Sequence, residues 1–175
     1  MLSWLETMTH PDGEISFFND SAFKMSTRLT DLIVYANSLG IQYVSIPLSN
    51  IVHLKNSGYV RIKNNNLVSF IDVAKVGPDY QPGHAHADTL SFELSINNSR
   101  MIVNSGTSTY EKGKLRQWQR STAAHNTAEI NEENSSEVWD SFKVARRTKP
   151  TNVSVKKLTN RFETLTLPLE NHIFQ

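Results

Sequence analysis

The segment G-H-A-H-A-D-T-L-S-F-E-L-S-I-N-N-S-R-M-I-V-N-S-G, residues 83–106, alternates small or apolar residues with polar ones. In an extended strand, residues two apart share a face. Read that way, His84, His86 and Asp88 line up with Leu90, Phe92, Leu94 and Ile96, while Thr89, Ser91, Glu93, Ser95 and Asn97 take the other face. An apolar stripe therefore runs back into two imidazoles and a carboxylate. Burying such groups is costly unless they are paired, hydrogen-bonded or bound to a metal. Solvated histidines would fall on the polar face, and these do not.

The rest of the composition narrows the function classes. At 175 residues the chain is long enough for one domain with a real core, and 38% hydrophobic with 20% charged residues is globular composition. A net charge of +1 with acids and bases interspersed provides no basic field for nucleic acid. The absence of cysteine removes disulfides, thiolate nucleophiles and sulfur-ligated zinc. No apolar run approaches the ~20 residues of a membrane span. The opening M-L-S-W-L-E-T-M-T-H has no basic start followed by an apolar block, so it does not read as a signal peptide. Taken as a whole protein, the chain would be cytoplasmic.

Outward from the central segment, the pattern is β on both sides. Leu54 to Ile62, a turn at Asn64-Asn65-Asn66, and Leu67 to Val73 read as a hairpin. Gly77 to Gly83 is a loop stiffened by two prolines, and Asn97-Asn98-Ser99 reads as a three-residue connection into Met101-Ile102-Val103. Val138 to Ala145, Val153 to Val155 and Phe162 to Leu167 continue the β pattern. Towards the start, Leu29, Leu32, Ile33 and Ala36 recur at helical spacing between Ser26 and Leu39, with Ser26 or Thr27 as cap and Gly40 as stop. Residues 1–25 read as a short helix end and a loop around Pro11-Asp12-Gly13. The expectation is a mainly β chain, an antiparallel β-sandwich of about eight strands preceded by a short α-helical segment. The boundary falls near Gly40, giving a helical tail over 1–42 and a sandwich over 43–175. A lone helix with an apolar stripe needs partners, so the chain reads as the C-terminal part of a two-domain protein.

Each candidate group has a plain alternative. His84-Ala85-His86 can present two imidazoles to one metal, or two satisfied histidines can line a cleft. Asn104-Ser105-Gly106-Thr107 with Tyr110 is turn chemistry, or one wall of a site. His125, in R-S-T-A-A-H-N-T, adds a third histidine among small and polar residues. Three histidines with amides suit a borderline cation such as zinc. Arg146 and Arg147 can meet an acidic ligand, or simply lie solvated.

Taken together, G-H-A-H-A-D-T-L-S-F-E-L, N-S-G-T-S-T-Y, R-S-T-A-A-H-N-T and N-S-S-E-V-W-D-S-F-K-V-A-R-R resemble the heparinase II/III-like polysaccharide lyases over roughly residues 55–150. The H-P-D-G-E-I-S-F-F-N-D-S-A-F segment is similar to that family's exit from its helical toroid. The resemblance implies a supersandwich-like β-domain joined to an (α/α) toroid, mostly missing here. It also implies β-elimination on uronic-acid polysaccharides. A base takes the C5 proton, an acid protonates the departing O4, and the carboxylate is neutralised as charge develops.

By resemblance, His84 is the catalytic histidine, a base or a neutraliser, and Tyr110 faces substrate. His86, Asn104 and His125 fall at ligands of a structural zinc. The implied partner is an acidic polysaccharide or oligosaccharide, with a homodimer also expected and a periplasmic or cell-envelope location. Asn104 stands where the family often has Asp, which lowers the expected zinc affinity, and the toroid's catalytic residues have no counterpart. The alternative function is a non-catalytic carbohydrate-binding or scaffold sandwich. One geometric demand follows. If 84–96 were a single strand, His86 would lie roughly 20 Å from Asn104, at ~3.3 Å per residue. A shared site requires residues 83–88 to fold back as a loop, or a bulge to re-aim a strand.

Overall fold

The computed structural model describes residues 1–45, 47–158 and 162–166. Five strands make one antiparallel sheet in chain order: β1 (Ile51–Leu54), β2 (Tyr59–Asn64), β3 (Leu67–Asp72), β4 (Phe92–Ile96) and β5 (Ser99–Ile102). Two antiparallel ribbons follow, β6 (Val138–Trp139) with β7 (Lys143–Val144), and β8 (Ser154–Leu158) with β9 (Phe162–Thr166). Short helices α1 (Leu2–Thr7) and α2 (Leu29–Ser38) precede the sheet, and α3 (Lys114–Gln119) follows it. The architecture is the expected mainly β, antiparallel sandwich class with a helical lead-in. Leu167, the expected end of the last strand, lies outside the described residues.

Local chemistry explains the turns. Ile96 pairs with Ser99, so the β4–β5 connection is two residues long and not three. Asn97 and Asn98 both take positive φ, 51° and 64°, which a hairpin turn matched to strand twist requires and asparagine tolerates. Helix α2 begins later than expected. Its N-cap is Arg28, with no side-chain cap, and neither Ser26 nor Thr27 fills that role. Gly40 does follow its end, at φ +75°.

The alternating stripe of β4 is inverted relative to the sequence reading. Glu93 and Ser95 are fully buried, whereas Phe92, Leu94 and Ile96 are only half-buried. The N-terminal segment causes this. It crosses the sheet on the Glu93 face, where Met8 and Phe18 pack with Val68 and Phe70 into the core cluster. His10 lies on Phe70 and joins Ser95 through Nδ1 at 2.7 Å and Glu93 through Nε2 at 2.8 Å. The other Glu93 oxygen accepts the backbone N–H groups of Phe17 (3.1 Å) and Asn104 (3.0 Å). A buried carboxylate with three donors replaces an apolar stripe, because the strap that covers it brings the His10 ring and the Phe17 N–H, which need acceptors.

Candidate active site

The central histidines do not lie on a strand. Residues Pro82–His84 form a 3-10 turn, and the chain from Ala85 to Ser91 is a loop that folds back before β4 begins at Phe92. Buried polar bonds hold it there. Arg120 donates to the carbonyl of Ala85 through Nε (3.2 Å) and its terminal nitrogen (2.9 Å), Ala87 N–H donates to Arg120 O (2.9 Å), and the Thr122 hydroxyl donates to Ala87 O (2.7 Å). Leu90, at φ +63°, makes the reversal into β4. A register shift between Leu94 and Ser95 adjusts β4 against β5. The fold-back that a shared site demands is therefore present.

A carboxylate that the sequence reading passed over organises the site. Asp20, its side chain only 5% exposed, accepts from His84 Nδ1 (2.8 Å), His86 Nε2 (2.8 Å), Thr107 Oγ1 (2.9 Å) and both terminal nitrogens of Arg116. Burial alone would raise the pKa of Asp20. The hydrogen bonds from His86, Arg116 and His84 outweigh it and hold the carboxyl far below the usual range. An ionised carboxylate only accepts, so Nδ1 of His84 carries a hydrogen, and in the neutral ring the lone pair is on Nε2. The His84 side chain is 62% exposed.

Tyr110 lies edge-on to His84, ring centroids 5.9 Å apart, and both pack on Phe142. Beneath them, fully buried Arg116 lies under the Tyr110 ring (5.2 Å) and the Phe142 ring (5.5 Å). It also donates to the Ser141 carbonyl at 3.0 and 2.9 Å. Burial, and then the Asp20 charge, raise the pKa of Tyr110 despite the opposing pull of Arg116, so the phenol keeps its proton. Beside His84 a groove of about 620 Å3 opens between the Pro82–His84 turn and the β6–β7 ribbon.

His86 and His125 come together below His84. His86 Nδ1 stands 3.2 Å from His125 Nε2, and the Asn104 amide oxygen is 3.3 Å from the other ring nitrogen of His125, Nδ1. Burial, reinforced by the neighbouring His86, depresses the pKa of His125 to about 3 although a backbone bond opposes it. All five expected site residues thus lie in one neighbourhood, joined through Asp20. Asp88 sits deeper, accepting from the Asn19 N–H at 3.3 Å. Burial pushes its pKa up to about 6 against the pull of His86, and burial and the charge of Asp88 push Asp72 well above the ordinary range. Arg146 pairs with Glu137 beside the ribbon, and Arg147 with Asp79 and the carbonyls of Val76 and Gly77 in the loop before the Pro82 turn, and neither lines the groove beside His84.

A sequence model described as Heparinase II/III-like, C-terminal, matches residues 46–166. The chain belongs to the heparinase II/III-like family. Solved structures with the same fold include the heparan sulfate lyase HepC from Pedobacter heparinus, at TM-score 0.65 and 18% identity. That match covers 93% of this chain and 26% of the lyase. A HepC mutant superposes at TM-score 0.68 and 19% identity, covering 95% and 27%. The heparinase III BT4657 gene product superposes at 0.63 and 16%, covering 92% and 26%. No curated protein sequence matches the chain. This heparinase II/III-like chain thus spans about a quarter of the length of these solved structures.

Two residues of the heparinase II/III-like domain fit the zinc its family resemblance implies. Tetrahedral zinc ligands about 2.0–2.1 Å from the metal stand roughly 3.3 Å apart, close to the 3.2 Å between His86 Nδ1 and His125 Nε2. Each ring gives its other N–H to an oxygen, of Asp20 or of Asn104, which is how metal-bound histidines are commonly oriented. Asn104 therefore sits as an orienting group beside His125. Among the described residues no group of three or more His, Asp or Glu side chains is arranged to hold a metal ion. Among them, too, no helix is long and apolar enough to cross a membrane.

Proposed function

We propose that this domain forms the His84 wall of a cleft in which uronic-acid polysaccharide is cleaved by β-elimination, with the remaining wall supplied by a helical domain of the kind the family resemblance implies. The observation that carries the reading is the Asp20–His84 pair. A buried carboxylate holds Nδ1 at 2.8 Å while the ring is exposed beside a groove. A fixed tautomer with an accessible Nε2 suits a group that takes a proton, and Asp20 stabilises the imidazolium that results.

In the reaction, Nε2 of His84 takes the C5 proton of the uronate. The C–H electrons form the C4–C5 double bond as the C4–O4 bond breaks, and O4 leaves with a proton given by Tyr110. A phenol whose pKa is raised is suited to donate rather than to ionise beforehand. Zinc is proposed as a structural ion only, held by His86 Nδ1 and His125 Nε2, supplying positive charge that ties loop 85–91 to the 122–125 turn. Metal content near one per chain, and a fall in unfolding temperature with chelator, are the expected results; the absence of both would remove zinc from the reading.

The test of function is the near-ultraviolet absorbance of unsaturated uronate products, followed over a panel of uronate polymers with the full-length protein. His84→Ala is expected to lower the rate by about 10²–10⁴, the usual worth of a positioned acid–base group. Binding of acidic oligosaccharide with no product from any polymer would favour the alternative, a carbohydrate-binding sandwich.

A further inference from the structure

Trp139 divides two grooves. One, of about 620 Å3, runs from His84 past Phe142 to Lys143. The other, of about 530 Å3, also bordered by Trp139, lies between Trp118, Lys112 and Lys114. Both fall within the size range of small-molecule sites, roughly 300–1,000 Å3. Trp139 is 44% exposed, and Trp118 on α3 is 52% exposed.

The ridge that carries Trp139 is rigidly seated. Arg120 donates to the carbonyls of Trp139 and Asp140, both at 3.1 Å, Arg116 holds Ser141 O, and Gln117 Nε2 donates to Val138 O at 2.9 Å. Arg116 is also the partner of Asp20, so one buried guanidinium ties the histidine end to the Trp139 ridge. Charge across the two grooves is one-sided. Lys112 (3.2 Å) and Lys143 (3.6 Å) share the single carboxylate of Asp140, and Lys114 pairs with no carboxylate among the described residues. Three ammonium groups therefore face one acid.

The geometry points to an extended site for an acidic oligosaccharide that crosses Trp139, with one uronate-bearing stretch at His84 and Lys143 and the next at Trp118, Lys112 and Lys114. A pyranose ring offers an apolar C–H face that packs on the indole, and the rim lysines meet its carboxylates. This rests on the reading of the substrate class given above. It adds the direction in which the chain runs and the residues that hold it beyond the reacting sugar.

Six-unit oligosaccharides from heparan sulfate, alginate and polygalacturonate, with cellohexaose as neutral control, test it by calorimetric titration of the full chain. At least one acidic hexamer is expected to bind about tenfold or more tighter than cellohexaose, a difference of about 1.4 kcal/mol. Trp139→Ala is expected to weaken that hexamer about tenfold, with Trp139→Phe recovering much of the loss. Lys114→Gln with Lys143→Gln, both exposed and outside the core, is expected to weaken it and flatten its dependence on salt. The inference is overturned if no acidic hexamer binds, if cellohexaose binds as tightly, or if the hexamer holds to Trp139→Ala as to the wild type. Unchanged binding by Trp139→Ala alongside product formation sinks this path and leaves the lyase. Binding through Trp139 without elimination sinks the lyase and leaves the path.

Discussion

Asp20→Asn keeps the shape of the side chain and removes its charge. Arg116, with no exposed surface, loses its counter-ion, and one of the two carboxylate positions becomes an NH2 group facing donors. Removing one partner of a buried ion pair costs about 3–5 kcal/mol, chiefly because the other charge stays buried. At about 2–4 °C per kcal/mol for a chain of this length, the unfolding temperature should fall by roughly 6–20 °C. Thr107→Val removes one neutral donor to the same carboxylate and should cost only about 1 kcal/mol.

The pH dependence carries a sign. The pKa of Asp20 in the folded chain lies below its ordinary 3.8, so its stabilisation is present above that value and is lost as pH falls through the folded one. Urea unfolding followed by circular dichroism between pH 7 and pH 3 should show acid destabilisation in the wild type and a flatter profile in Asp20→Asn. A variant that loses less than about 1 kcal/mol, or keeps the full acid sensitivity, would refute the idea that Asp20 ties the site together.

The buried Asp72–Asp88 pair titrates in the opposite sense. Raised folded values mean stability present below about 3.8 and lost as pH rises towards them, about 6 for Asp88 and well above the ordinary range for Asp72, so Asp72→Asn should raise stability at neutral pH and flatten that slope in urea titrations. Gly106, at φ +66°, would place an added Cβ 2.9 Å from the Ser21 carbonyl, so Gly106→Ala should cost about 1–3 kcal/mol in thermal unfolding and loosen the Asn104–Tyr110 loop. Glu93→Gln leaves one oxygen for Phe17 N–H and Asn104 N–H, which already share it, and sets an NH2 group against His10 Nε2, with an expected loss of about 1–3 kcal/mol by denaturant titration.

The strands and most of the turns were legible because turn dipeptides and alternation are local signals, whereas the gathering of His84, His86, His125, Asn104 and Tyr110 came only from the family resemblance, since strand geometry alone would set His86 roughly 20 Å from Asn104. Asp20 was not. It lies in Asn19-Asp20-Ser21, ordinary loop chemistry, 64 residues before the histidine it holds. Arg116 was hidden in the same way, since nothing in K-L-R-Q-W-Q marks one basic residue for burial until Asp20 and Ser141 are brought to it. The inverted face of β4 had a similar cause. Alternation reports that two faces differ, but a covering strap that brings the His10 ring and the Phe17 N–H to β4 selects the polar one for burial.

That strap bears on any attempt to dissect the protein. The family match begins at residue 46, an inviting place to trim a recombinant polypeptide. Yet His10, Phe18 and Asp20 all come from upstream of it and sit inside the β body. A shortened version starting there would discard the anion beneath both imidazoles, strand a buried guanidinium and uncover Phe70. Its silence in an assay would reveal nothing about the chemistry of the intact molecule.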